Sequence, residues 1–145
     1  MSKIWILVAD EARARTFTAD KPVDPMVEIN SMTSPEAKLR DQDLVSDKPG
    51  RVIGGSDQSK HGVGEKSEHK EQYAVRFAKE IGAYLDDNLR DKSFGKLILV
   101  AAPHFLGLLR KELSKEVEAV ISLQLDKDLS NMETEEIREH LPKYL

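Results

Sequence analysis

KLILVAAPHFLGLLR, residues 96–110, is the stretch that decides the fold. Leu97 to Ala101 is apolar on both faces, as a strand must be when layers cover both sides of its sheet. Pro103 offers no N–H to a ladder and fixes φ, so the strand ends before it. Leu106, Leu109 and Leu113 then recur at helical spacing. Strand, tight turn and helix follow one another within these residues. The Ala102-Pro103-His104 turn lies at the carboxyl end of a central strand, where open α/β sheets bind ligands.

Towards the N-terminus, Ile4 to Ala9 reads as a second buried strand, closed by a tight turn at Asp10-Glu11-Ala12. Arg13 to Ala19 alternates, with Ala14, Thr16 and Thr18 on one face and Arg15, Phe17 and Ala19 on the other. The short connection implies an antiparallel hairpin. Asp20 to Pro25 is a turn region, and Met26 to Met32 reads as a third, partly buried strand.

Residues 33–67 differ in character. Five of the eight glycines fall there and apolar residues are sparse, which predicts a polar, flexible loop that is functional or disordered. Glu36 to Val45 has the makings of a short helix. Ser67 is positioned to cap a long helix over Glu68 to Leu89, with Tyr73, Phe77, Ile81, Tyr84, Leu85 and Leu89 as its apolar stripe. Gly82 within it suggests close packing on the sheet. After Lys96–Arg110 a helical piece reaches towards Glu118, a last strand falls within Val117 to Leu125, and a final helix over Glu133 to Leu141 is capped by Ser130 or Asn131. The order is βββ-α-β-α-β-α, a three-layer mixed α/β sheet in the order of the ribonuclease H-like fold.

Composition narrows the function classes. The 145 residues are expected to form one domain, 1–145. The absence of cysteine excludes disulfides, thiolate catalysis and cysteine-bound zinc. No apolar run approaches the roughly 20 residues that span a bilayer, so a cytoplasmic location with no membrane contact is expected. The net charge is −4, yet residues 48–66 hold Lys48, Arg51, Lys60 and Lys66 against Asp57 and Glu65. A basic loop on an acidic body can meet a phosphate backbone locally, although a solvated loop explains the same charges.

The A-A-P-x-x-L-G-x-L-R pattern, carried by Ala101, Ala102, Pro103, Leu106, Gly107, Leu109 and Arg110, resembles the bacterial "protein required for attachment to host cells" family. The resemblance runs over nearly the whole chain. It includes Val8, Ala9, Asp10, Arg13, Ala14, Arg15 and Phe17 at the start, Phe77 to Ile81 in the long helix, and Asp128-Leu129-Ser130 near the end. The family is similar to the middle domain of archaeal and eukaryotic class I peptide release factors, which implies a ribonuclease H-like core. Release factors carry Gly-Gly-Gln in the corresponding loop. Here Gly54-Gly55-Ser56 stands there with Gln58 two residues on, so peptidyl-tRNA hydrolysis is not implied.

The expected function is therefore non-enzymatic binding of RNA or the translation machinery, the ribosome or tRNA, through Arg51, Gly54, Gly55, Ser56, Gln58, Lys60 and Lys66. No cofactor and no metal site are expected, and a homo-oligomer stays open. The alternatives are a metal-dependent hydrolase or nuclease with a degenerate site, or a protein-interaction module in host association. Asp10 and His104 are the catalytic candidates. Two-metal nucleases need several converging carboxylates, which Asp10 with Glu68 or Glu71 supplies incompletely, and the plainer reading of Asp10 is a turn or capping carboxylate. His61, Glu65, Glu68 and His69 lack the H-E-x-x-H spacing and read as a solvated surface. Arg13, Arg15 and Arg110 read as surface or helix-end ion pairs.

Overall fold

A computed structural model of the chain describes residues 3–34 and 71–145. Strands β1 (Ile4–Ala9), β2 (Arg13–Ala19), β3 (Val27–Thr33), β4 (Lys96–Ala101) and β5 (Ile121–Leu125) form one sheet in the order β3-β2-β1-β4-β5. β1 runs antiparallel to β2, and β2 antiparallel to β3, while β1–β4 and β4–β5 are parallel. The helices are α1 over residues 71–90, α2 (Pro103–Glu112), α3 (Lys115–Ala119) and α4 (Thr134–Glu139). No helix among the described residues is long and apolar enough to cross a membrane.

The doubly apolar strands occupy the middle of the sheet, as their patterns require. All six residues of β1 are buried, and in β4 only Lys96 is not. Alternate side chains feed two cores. Trp5, Leu7, Leu97 and Leu99 pack with Phe77 and Ile81 of α1, Phe105 and Leu109 of α2 and Val117 of α3. Ile4, Ile6, Val8, Ile98 and Val100 pack on the other side with Ile137 of α4 and the chain end at Leu141 and Leu145. The faces predicted for β2 hold, since Ala14 joins the first core and Phe17 and Ala19 the second. Trp5 is stacked against Phe94 with ring centres 4.6 Å apart.

Several boundaries move. β3 begins and ends one residue later than expected, so the polar loop predicted from residue 33 starts after Thr33; its remainder, including the helix expected at Glu36 to Val45, lies outside the described residues. α2 does not continue towards Glu118. Leu113 adopts an extended backbone, and Ser114 starts α3 by accepting the N–H of Val117 on its hydroxyl, because a serine hydroxyl satisfies a first-turn donor that the helix itself cannot. Val117 is thus helical, and the last strand starts only at Ile121. A register shift beside Leu97 and Ile98 puts Ile121 in the first core and Leu123 and Leu125 in the second, although simple alternation predicts one face for all three. Glu133, not Ser130 or Asn131, is the N-cap residue of the last helix.

Gly82 also has a different neighbour from the one expected. A Cβ there would come within 2.6 Å of the Glu112 carbonyl oxygen, so the glycine lets α1 press against the end of α2 rather than against the sheet. α1 ends with Lys92 at φ 61° while Ser93 N–H reaches back to the Asn88 carbonyl, the closing geometry that glycine more often supplies.

Candidate functional site

β1 and β4 are parallel neighbours, so their carboxyl ends open on the same edge of the sheet. The pairing extends one step past the strands, with Ala102 N–H donating to the Ala9 carbonyl at 3.3 Å. Pro103 occupies the first turn of α2, where its missing N–H costs nothing. Asp10 and His104, the two catalytic candidates, are therefore delivered to one end of the sheet by adjacent strands.

Each is engaged separately. Asp10 Oδ1 accepts the backbone N–H groups of Ala12 and Arg13, both at 2.8 Å, which closes the turn between β1 and β2. Its Oδ2 accepts the hydroxyl of buried Ser130 at 2.5 Å. Asp10 is thus the turn carboxylate of the plainer reading and also ties that turn to the segment before α4. His104 instead faces α1, its Nε2 2.9 Å from Glu71 Oε2. This hydrogen bond, then the charge of Glu71 and more weakly that of Glu11, hold the imidazole pKa above its ordinary value, against a small opposing effect of desolvation. No hydrogen bond among the described residues joins Asp10 to His104.

Arg15 completes the frame. It forms a two-pronged ion pair with Glu28 of β3, at 3.2 and 2.9 Å, and donates to the carbonyls of Ser130 at 2.9 Å and Met132 at 2.6 Å. Its guanidinium also lies 5.0 Å from the centre of the Phe17 ring. Ser130 is consequently held twice, by its hydroxyl through Asp10 and by its carbonyl through Arg15. The planar fork of arginine suits this better than a lysine ammonium would. The expected ion pair of Arg15 is present. Arg110 instead donates through Nε to Gln124 Oε1 at 2.6 Å, and Arg13 is exposed. Beside this frame a polar hollow of about 450 Å³ is lined by Arg13, Ser31, Asn131 and Thr134, among others.

Sequence reasoning took Ser130 for a helix cap and missed its part in this network. The only signal was its place in Asp128-Leu129-Ser130, for which sequence alone offers no spatial partner. The binding candidates Arg51, Gly54, Gly55, Ser56, Gln58, Lys60 and Lys66 lie outside the described residues, as do His61, Glu65, Glu68 and His69. Among the described residues, no group of three histidine, aspartate or glutamate side chains is placed to hold a metal ion.

These features define a mixed α/β protein whose central strand ends carry a polar network spent largely on its own architecture. The chain belongs to the family described as "Protein required for attachment to host cells", whose model matches residues 5–141. The match takes in every strand but the first residue of β1, all four helices, and Asp10, Arg15, His104 and Ser130. No curated protein matches the chain.

Proposed function

We propose that this chain is a non-enzymatic binding protein that serves host association, the role named in the description of its family. The observation that carries this reading is the engagement of both Asp10 oxygens, by two backbone N–H groups and the Ser130 hydroxyl. A carboxylate so committed is poorly placed to become a metal ligand or a general base, each of which needs free lone pairs directed at a substrate. Among the described residues His104 has only Glu71 as a hydrogen-bond partner, and there this exposed pair has neither a nucleophile nor an orienting group bonded to it. The test is complementation of cells lacking the protein, read as attachment to host cells. A His104→Ala variant that folds normally restores attachment as well as the wild type does. Loss of attachment in that variant, together with a divalent-metal requirement for any activity of the purified protein, would favour the hydrolase instead.

The finer reading is that the partner is RNA or the translation machinery. It rests on the excess of cations in residues 48–66 and on the similarity to release factors, where a glycine-rich loop is the working element. Sedimentation of cell lysate on a sucrose gradient tests it. Co-migration with ribosomal particles that disappears at high salt, and in an Arg51→Ala, Lys60→Ala, Lys66→Ala triple variant, is the expected result. Migration only at the top of the gradient removes this partner and leaves the binding role to be pursued with proteins.

A further inference from the structure

A hollow of about 430 Å³ lies at the end of the sheet opposite to Asp10 and His104. Lys3 borders it just before β1, Trp5 and Thr18 from the paired strands β1 and β2, and Ile29 from β3. Lys92 and Ser93 close it from the turn after α1. Its volume is that of a site for a small molecule. The charged residues that line it are Lys3 and Lys92, and both are positive.

Among the described residues neither ammonium group has an ion-pair or hydrogen-bond partner. The Lys3 carbonyl accepts the Gly95 N–H at 3.0 Å, which fixes the base of that side chain and leaves its head free. Lys92, at φ 61°, is alone among the described non-glycine residues in having a positive φ. That region crowds any residue with a Cβ, and glycine would end α1 without the cost. A costly backbone kept at a lysine points to a use for its side chain. Ser93 Oγ donates to Asn88 Oδ1 across 3.4 Å, a long bond that a ligand oxygen can replace.

We propose that this hollow binds a phosphate group, held by the ammonium groups of Lys3 and Lys92 with the Ser93 hydroxyl as a further donor. Two cations facing one concavity with no acid in its wall focus a positive potential there. A phosphate monoester brings about −1.5 to −2 charge at neutral pH and three acceptor oxygens, which matches two ammonium groups and a hydroxyl better than a singly charged carboxylate does. Ile29, 48% exposed, offers an apolar wall to the body of an organic phosphate. Trp5 is buried and stacked on Phe94, so it is a rigid floor and not a platform for a ring. The site uses neither residues 48–66 nor the Asp10 frame, and it stands or falls separately from the binding role proposed above.

Isothermal titration calorimetry of the full chain at low salt tests the proposal, with adenosine 5′-monophosphate, inorganic phosphate and adenosine as probes. Saturable phosphate binding with a Kd below about 10 mM is expected, and none by adenosine. Tighter binding of the monophosphate than of inorganic phosphate assigns the site to an organic phosphate packed on Ile29. Equal or weaker binding assigns it to free phosphate. Lys92→Gly removes the ammonium group yet accepts the same φ. It should weaken binding by about tenfold or more while the thermal midpoint stays level or rises. Lys3→Gln should weaken binding to a similar degree. Absence of saturable binding by both phosphates overturns the proposal, and so does binding that survives both substitutions.

Discussion

The hydroxyl of Ser130 lies 2.5 Å from Oδ2 of Asp10, joining the first turn of the chain to the segment that leads into its last helix. The same Asp10 holds the β1–β2 turn through its other oxygen. Asp10→Ala removes the acceptor for three donors and should destabilise the protein by about 2–3 kcal/mol, whereas Ser130→Ala should cost about 1 kcal/mol because the turn survives. Urea unfolding monitored by circular dichroism distinguishes the two. An Asp10→Ala variant as stable as the wild type would show that the carboxylate is not structural and would reopen the case for a catalytic role.

Arg15→Lys tests the other half of the frame. Lysine keeps the charge near Glu28 but cannot serve that carboxylate and the Ser130 and Met132 carbonyls together. The Arg15 side chain is only 15% exposed, so the abandoned acceptors are partly shielded from water. A loss of about 1–3 kcal/mol in denaturant unfolding is expected. Hydrogen exchange should quicken in the segment before α4.

Two glycines in helices should respond oppositely to alanine. Gly82→Ala drives a methyl group against the Glu112 carbonyl and should cost about 1–3 kcal/mol despite the better helix propensity. Gly107→Ala meets no described residue within 4 Å and should stabilise the chain by about 1 kcal/mol. Thermal melts of the two variants side by side settle the signs.

His104 should titrate above the ordinary histidine value of 6.5, chiefly through its hydrogen bond to Glu71. A pKa raised in the folded state stabilises the protein fully below the unfolded value and ceases to do so as pH rises through the folded one. The contribution is therefore present in mildly acidic solution and lost towards neutral and alkaline pH. An NMR titration of the imidazole in the wild type and in Glu71→Gln checks this, with the variant expected to move back towards 6.5.

The chain alone determined the elements that sit in the middle of the fold and its family. Val8, Val100 and their neighbours are apolar on both faces, and only strands covered on both sides tolerate that, so β1 and β4 were legible as buried strands. Pro103 marked the start of α2 because its ring forbids continuation of the ladder. Tertiary structure alone decided where the polar groups go. Ser130 reads locally as a helix cap, and 120 residues separate it from the carboxylate it bonds; such a pairing leaves no periodicity to detect. The break at Leu113 and the register shift in β5 were hidden for a related reason. Alternation and helical spacing describe regular elements, and they fail where the chain leaves both periods, at the extended backbone of Leu113 and at the extra residue between Ile121 and Leu123. The two glycines show the same division most plainly, since one letter in similar helical surroundings fills a crowded contact at Gly82 and meets no described residue within 4 Å at Gly107, and only the neighbours brought there by folding tell them apart.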